Sequence, residues 1–276
     1  MAVIAVFERM DSNRTWRAFL RRTLVPSLYF VAAGFAQGTQ PALVASEIIL
    51  RAGGSDIRAE VFEQSARQER PAILVLHGAG GTLLDGPEMR RLARHLAAEG
   101  NAVYLVHYFE RTGTLFARDA TMQKNFETWL TTVRDSISAV QVRRGDISPV
   151  GIYGYSLGGF LALAAASDNP RVGAVAEQAG GVWNERMERV RKMPAVLMIH
   201  GEGDARVPFE KYARPLVPVL RRRAAALETR FFAGEGHSFT PAAMGQVRAE
   251  AARFFRRHLV GERGAPPRAL PMTIPQ

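Results

Sequence analysis

Six residues constrain this chain more than any others: Gly154-Tyr155-Ser156-Leu157-Gly158-Gly159, set between the apolar run Val150-Gly151-Ile152-Tyr153 and an alanine-rich run over 160–166. The order reads as strand, sharp turn, helix, with a serine at the apex. A strand and a helix that meet across one residue bring their backbones close together. Glycine two positions to either side of the serine removes the Cβ atoms that would collide. The turn lifts the serine Oγ above the sheet and places it at a helix N-terminus, whose partial positive charge favours a developing oxyanion.

The rest of the chain supplies strands and helices to match. The apolar runs 72–76 and 102–106 predict strands buried on both faces, and 172–178 and 194–199 read as further strands. Residues 47–51 and 56–62, around Gly53-Gly54, predict an antiparallel hairpin at the start of the folded part. Helical patterns over 87–98, about 119–142, about 208–226 and 241–258 alternate with the strands, and 229–232 reads as the last strand. Alternation of this kind predicts an α/β chain with a doubly wound, mostly parallel sheet. With 276 residues, 47% of them hydrophobic, one large domain is the expectation. Its predicted span is 46–260, followed by a proline-rich tail over 261–276.

In such sheets the active groups gather beyond the carboxyl ends of the strands. Three chemically complementary side chains fall there. Ser156 follows one strand, Asp204 lies in His200-Gly201-Glu202-Gly203-Asp204 after the next but one, and His237 lies in Gly236-His237-Ser238-Phe239 after the last. A serine hydroxyl is a poor nucleophile until an imidazole takes its proton, and the imidazole needs a carboxylate to fix its tautomer. The spacings of 48 and 33 residues leave room for one or two strand–helix units each. Glu202 and Glu235 are rival carboxylates, but Asp204 leads directly into Val207-Pro208 and a helix. Two backbone N–H groups must meet the oxyanion. Leu157, next after the nucleophile, is one candidate, and Ala79 or Gly80 of His77-Gly78-Ala79-Gly80-Gly81 the other. Tyr108, Phe109, Tyr155, Trp183 and Phe239, near strand ends, are candidates for an acyl pocket. His77 and His200 read as residues that shape their loops.

Composition narrows the classes further. There is no cysteine, which excludes disulfides and thiolate chemistry. The net charge of +10 comes from arginine pairs scattered over different predicted helices, without interleaved aromatics, so no nucleic-acid groove is expected. No His-x-x-x-His pair and no Gly-x-x-x-x-Gly-Lys loop occurs, so neither a metal nor a nucleotide cofactor is expected. Residues 1–45 differ from the rest. Arg14, Arg17, Arg21 and Arg22 precede a thirteen-residue apolar run over 24–36, too short for a stable membrane span of about 20 residues. Ala33, Gly34 and Ala36 close that run as a candidate cleavage site, the order of an export signal, and Arg21-Arg22 suggests the twin-arginine type; an uncleaved arm on a cytoplasmic enzyme is the alternative. Met10 is an alternative start to Met1.

On the residues of the serine turn, of Gly203-Asp204 to Val207-Pro208 and of Gly236-His237-Ser238-Phe239, the chain over about 47–259 resembles the α/β-hydrolase superfamily, and within it the dienelactone hydrolase group. The resemblance implies an eight-stranded, mostly parallel sheet and hydrolysis through an acyl-enzyme, with the roles given above. Lids in that superfamily often follow the sixth strand, and because only residues 180–193 separate it from the next here, no large cap is expected. The group's namesakes carry cysteine where Ser156 stands and a glutamate in the loop where this chain has Gly78-Ala79-Gly80-Gly81. They also carry an arginine where it has Pro241. The expectation is therefore a serine esterase for a small or medium carboxylic ester. A peptidase, amidase or thioesterase of the same fold, or a binding protein on that scaffold, is the alternative.

Overall fold

The computed structural model describes residues 42–65 and 70–261. The expected leader over 1–36, and all of the tail but its first residue, lie outside the described residues.

An antiparallel pair, β1 (Leu43–Ala52) and β2 (Ser55–Gln64), turns at Gly53-Gly54 and begins three residues before the expected domain start. Then come β3 (Ala72–Leu76), the single turn α1 (Gly81–Leu84), α2 (Gly86–Ala98) and β4 (Ala102–Val106). A 3-10 turn at Tyr108–Thr112 leads to α3 (Asp119–Arg144), β5 (Val150–Tyr155), α4 (Leu157–Ala166) and β6 (Val172–Gln178). A second 3-10 turn, Asn184–Arg189, precedes β7 (Met193–Gly201), α5 (Phe209–Tyr212), α6 (Leu216–Arg223), β8 (Ala224–Phe232) and α7 (Pro241–Phe255). The eight strands form one sheet in the order β1-β2-β4-β3-β5-β6-β7-β8. From β4 to β8 every neighbouring pair is parallel, and β2 alone joins the hairpin to β4 in antiparallel fashion.

The unbroken apolar strands follow from a sheet covered on both faces. Alternate residues feed opposite cores: Leu74, Leu76, Tyr104 and Val106 meet α3 and α4 through Phe126, Trp129, Ile137 and Leu161. Ile73, Val75, Val103 and Leu105 meet α2 and α7 through Leu92, Leu96, Phe254 and Phe255. In β3 and β4 both parities are apolar, so the strand pattern loses its period of two. In α2, Met89, Leu92, Ala93, Leu96 and Ala97 are buried, the i, i+3, i+4 spacing of a one-sided helix.

Three expectations need correction. The helix read over 208–226 is two short helices, α5 and α6. Pro215, without an N–H, interrupts the helical ladder, and Pro218 is tolerated in the first turn of α6. The last strand begins at Ala224 rather than at residue 229. Its first alanines favour a helix in isolation, but pairing of Ala224 opposite Met193 and Ala226 opposite Ala195 overrides that preference. The closing helix ends at Phe255 and passes into one wider turn, Arg256–Gly261, rather than continuing regularly to 258. No helix among the described residues is long and apolar enough to cross a membrane.

Candidate active site

Ser156 sits where β5 becomes α4, with φ 53° and ψ −120°. A non-glycine residue in this region costs about 1–3 kcal/mol and persists only where its surroundings dictate it. Here they do. The Ser156 N–H is held by the Gln178 carbonyl of β6 at 2.8 Å. A Cβ added to Gly154 would lie 2.1 Å from the Gly158 carbonyl oxygen, and one on Gly158 2.4 Å from that of Leu76. Strand and helix cross at this separation only because both positions are glycine.

His237, in the loop after β8, approaches from the far side of the rim. Its Nε2 is 2.9 Å from Ser156 Oγ and its Nδ1 is 2.8 Å from Asp204 Oδ2. Asp204, after β7, spends its other oxygen on the N–H groups of Arg206 and Val207, each at 2.8 Å. Burial pushes this carboxyl group's pKa up. The hydrogen bond from His237 and those backbone donors outweigh burial, and the net shift is downward, so the group is an anion at neutral pH. Backbone bonds from Glu202 N–H to Phe232 and from Gly203 N–H to Glu235 tie the two loops together. Of the rival carboxylates, Glu202 is exposed, and Glu235 accepts the N–H and hydroxyl of Thr240, both at 2.7 Å.

The buried histidines beside the site hold loops. His200 Nε2 donates to the Val207 carbonyl at 2.8 Å, and burial keeps its pKa below the ordinary value. His77 Nδ1 donates to the Gly78 carbonyl and its ring stacks on Tyr108 at 4.2 Å; burial brings its pKa down to about 4.

Ser156, Leu157 and Ala79 line one cavity of about 500 Å³. Among the described residues, neither the Leu157 nor the Ala79 N–H is taken up by a hydrogen bond. The Gly80 N–H is not available in the same way, since it donates to Asp85 Oδ2 at 3.0 Å. Trp183 lines this cavity, stacked on Phe160, with Tyr212 of α5 opposite. Tyr155 and Phe239 line a neighbouring cavity of about 570 Å³, together with Asp85, Met89 and Met244. Tyr108 and Phe109 line neither. The 3-10 turn after β4 folds both under the rim, where they pack with His77 and Trp129, and the Tyr108 hydroxyl donates to the His77 carbonyl at 2.7 Å. The sequence analysis does not find Phe160, Tyr212 or Asp85. The first two come from helices, and Asp85 reaches back into a loop that itself carries no acid. Only one 3-10 turn separates β6 from β7, so no cap is inserted there.

Behind the serine turn lies an acid without a catalytic partner. Glu177, at the end of β6, is fully buried; Oε2 accepts the Gly180 N–H at 2.9 Å, and Oε1 meets no partner among the described residues. Burial pushes its pKa up to about 8 against an ordinary 4.5, only partly offset by the Gly180 N–H. The folded chain keeps a proton that the unfolded chain gives up, so this group's contribution makes stability fall as pH rises from about 4.5 to about 8, and level off above. Glu177→Gln is expected to lose less in Tm than wild type between pH 5 and pH 8. Parallel Tm profiles for the two proteins would contradict the assignment.

A sequence profile of the dienelactone hydrolase family matches residues 57–259. No curated protein matches. Among solved structures, a Klebsiella pneumoniae protein provisionally named a dienelactone hydrolase superposes with a TM-score of 0.66 at 19% identity, over 78% of this chain and 99% of its own. A dienelactone hydrolase-like promiscuous phosphotriesterase from metagenomic libraries gives 0.63 at 17% identity, over 79% and 99%. A cold-adapted esterase from an Arctic intertidal metagenomic library gives 0.61 at 14% identity, over 79% and 94%. These likenesses establish a shared α/β-hydrolase fold.

Proposed function

The chain belongs to the dienelactone hydrolase family, and from that premise we propose that it cleaves a small or medium carboxylic ester through an acyl-enzyme on Ser156. As His237 Nε2 takes the hydroxyl proton, Ser156 Oγ attacks the carbonyl carbon. The carbonyl oxygen becomes an oxyanion and meets the N–H groups of Leu157 and Ala79. Asp204 holds the Nδ1–H and stabilises the imidazolium. His237 then gives its proton to the departing alkoxide, which leaves as an alcohol, and the acyl group stays on Ser156. Water repeats the sequence, with His237 as base, and releases the carboxylic acid.

The observation that carries this reading is the unbroken relay Asp204–His237–Ser156, with links of 2.8 and 2.9 Å ending beside two unspent backbone donors. A cavity of about 500 Å³ suits a small or medium acyl group. The family's name denotes hydrolysis of a lactone, a cyclic carboxylic ester, and one structural neighbour is an esterase. Labelling with a fluorophosphonate tests the reading. Wild type is expected to bind one equivalent, mapped to Ser156, and Ser156→Ala none. A wild-type protein that stays unlabelled and turns over no p-nitrophenyl ester of two to eight acyl carbons would overturn it.

A further inference from the structure

We propose that Asp85 is a positioning residue for oxyanion stabilisation: its carboxyl group holds the turn after β3 so that the Ala79 N–H faces Ser156. The inference rests on the hydrolase reading above and deepens it.

Gly78, Ala79, Gly80 and Gly81 form a tight turn closed by the Gly81 N–H on the Gly78 carbonyl at 3.1 Å. The Gly80 N–H goes to Asp85 Oδ2 at 3.0 Å. The Ala79 carbonyl is turned outward, accepting the Ala117 N–H at 2.8 Å. The N–H groups of Gly80 and Gly81 are thus spent, whereas that of Ala79 meets no partner among the described residues, on a residue that lines the Ser156 cavity. The carboxyl group occupies space that no other residue at these positions would leave. A Cβ on Gly80 would lie 2.5 Å from Asp85 Oδ1, and one on Gly78 would lie 2.8 Å from Oδ2 and 3.0 Å from Ser156 Cβ. The clamp thus sits one side chain's width from the nucleophile. It is half-buried, between α1 and α2.

An acceptor oxygen is what the clamp requires, and a charge is not. Asp85→Asn, which keeps an acceptor oxygen for Gly80, is therefore expected to retain kcat within about threefold. Asp85→Ala is expected to lower kcat about 10–100-fold with KM within about threefold, since loss of a whole oxyanion donor costs about 10²–10³-fold. Ala79→Pro removes the assigned N–H directly, at the second position of a turn where proline fits, and is expected to cost about 10²–10³-fold in kcat. The affinity of an alkyl trifluoromethyl ketone, whose serine adduct carries an oxyanion, is expected to fall in step with kcat in both. If Asp85 acts through that N–H, adding Asp85→Ala to Ala79→Pro costs at most another twofold. A merely structural carboxyl group predicts additive losses. Additivity, an Asn variant no better than Ala, or a loss carried by KM would each overturn the proposal. Failure of wild type to hydrolyse esters or take the fluorophosphonate would instead defeat the hydrolase reading, whatever the Asp85 variants do.

Discussion

Ser156→Ala and His237→Ala are each expected to lower kcat by about 10⁴–10⁶-fold, and the double variant to be no worse than the poorer single one. The two groups act as one unit. Without the imidazole the hydroxyl keeps its proton, and without the hydroxyl the imidazole has nothing to activate. What remains is binding and the oxyanion donors, so KM is expected to move little. Folding is expected to survive, because the Ser156 side chain holds no element in place. Its backbone N–H makes the structural bond, to Gln178, and alanine keeps that bond. Steady-state kinetics with a p-nitrophenyl ester, beside Tm of each variant, reads both statements. Turnover within tenfold of wild type in either single variant would contradict the roles assigned here.

Asp204→Asn is expected to lower kcat by about 10⁴-fold, and Glu202→Gln to leave it within about twofold of wild type. The amide keeps the shape of the loop and the contacts with the Arg206 and Val207 N–H groups. It no longer holds the Nδ1–H tautomer that Ser156 needs on the other side of the ring, nor does it balance the charge that the ring acquires. The position of Asp204 also makes loss of the carboxylate costly in another way, since neither rival carboxylate can replace it. Glu202 faces solvent and Glu235 is committed to Thr240. A pH–rate profile of kcat/KM distinguishes the variants. The Asn variant is expected to show a depressed plateau, with the same substrate and the same Tm within a few degrees. Equal losses in Asp204→Asn and Glu202→Gln would move the carboxylate role away from Asp204.

Much of this arrangement is legible before any coordinates. The inner strands β3, β4 and β6 agree with their sequence reading residue for residue. In β3 and β4 this is because a strand covered on both faces is apolar at both parities, whereas β6 carries two buried polar residues, Glu177 and Gln178, at its carboxyl end. The serine turn is legible for a different reason: the close approach of Gly158 to the Leu76 carbonyl leaves no side chain possible there. Where packing and local preference disagree, the sequence misleads. Ala224, Ala225 and Ala226 favour a helix and are strand, because β7 offers them a ladder. Tyr108 and Phe109 follow a strand like the other rim residues, but position along the chain does not say whether a side chain rises above the sheet or folds beneath it. Asp85 was invisible for a related reason. Its carboxyl group serves a residue five positions earlier, across a turn whose geometry no periodicity reports.

The outermost position of β8 in the sheet has its own consequence. The hydroxyl is anchored at the end of a strand paired on both sides, whereas the imidazole follows a strand that, among the described residues, is paired on one side only. Warming is therefore expected to silence the enzyme before it melts it, by fraying that border and carrying the base out of reach while the bulk of the molecule stays intact.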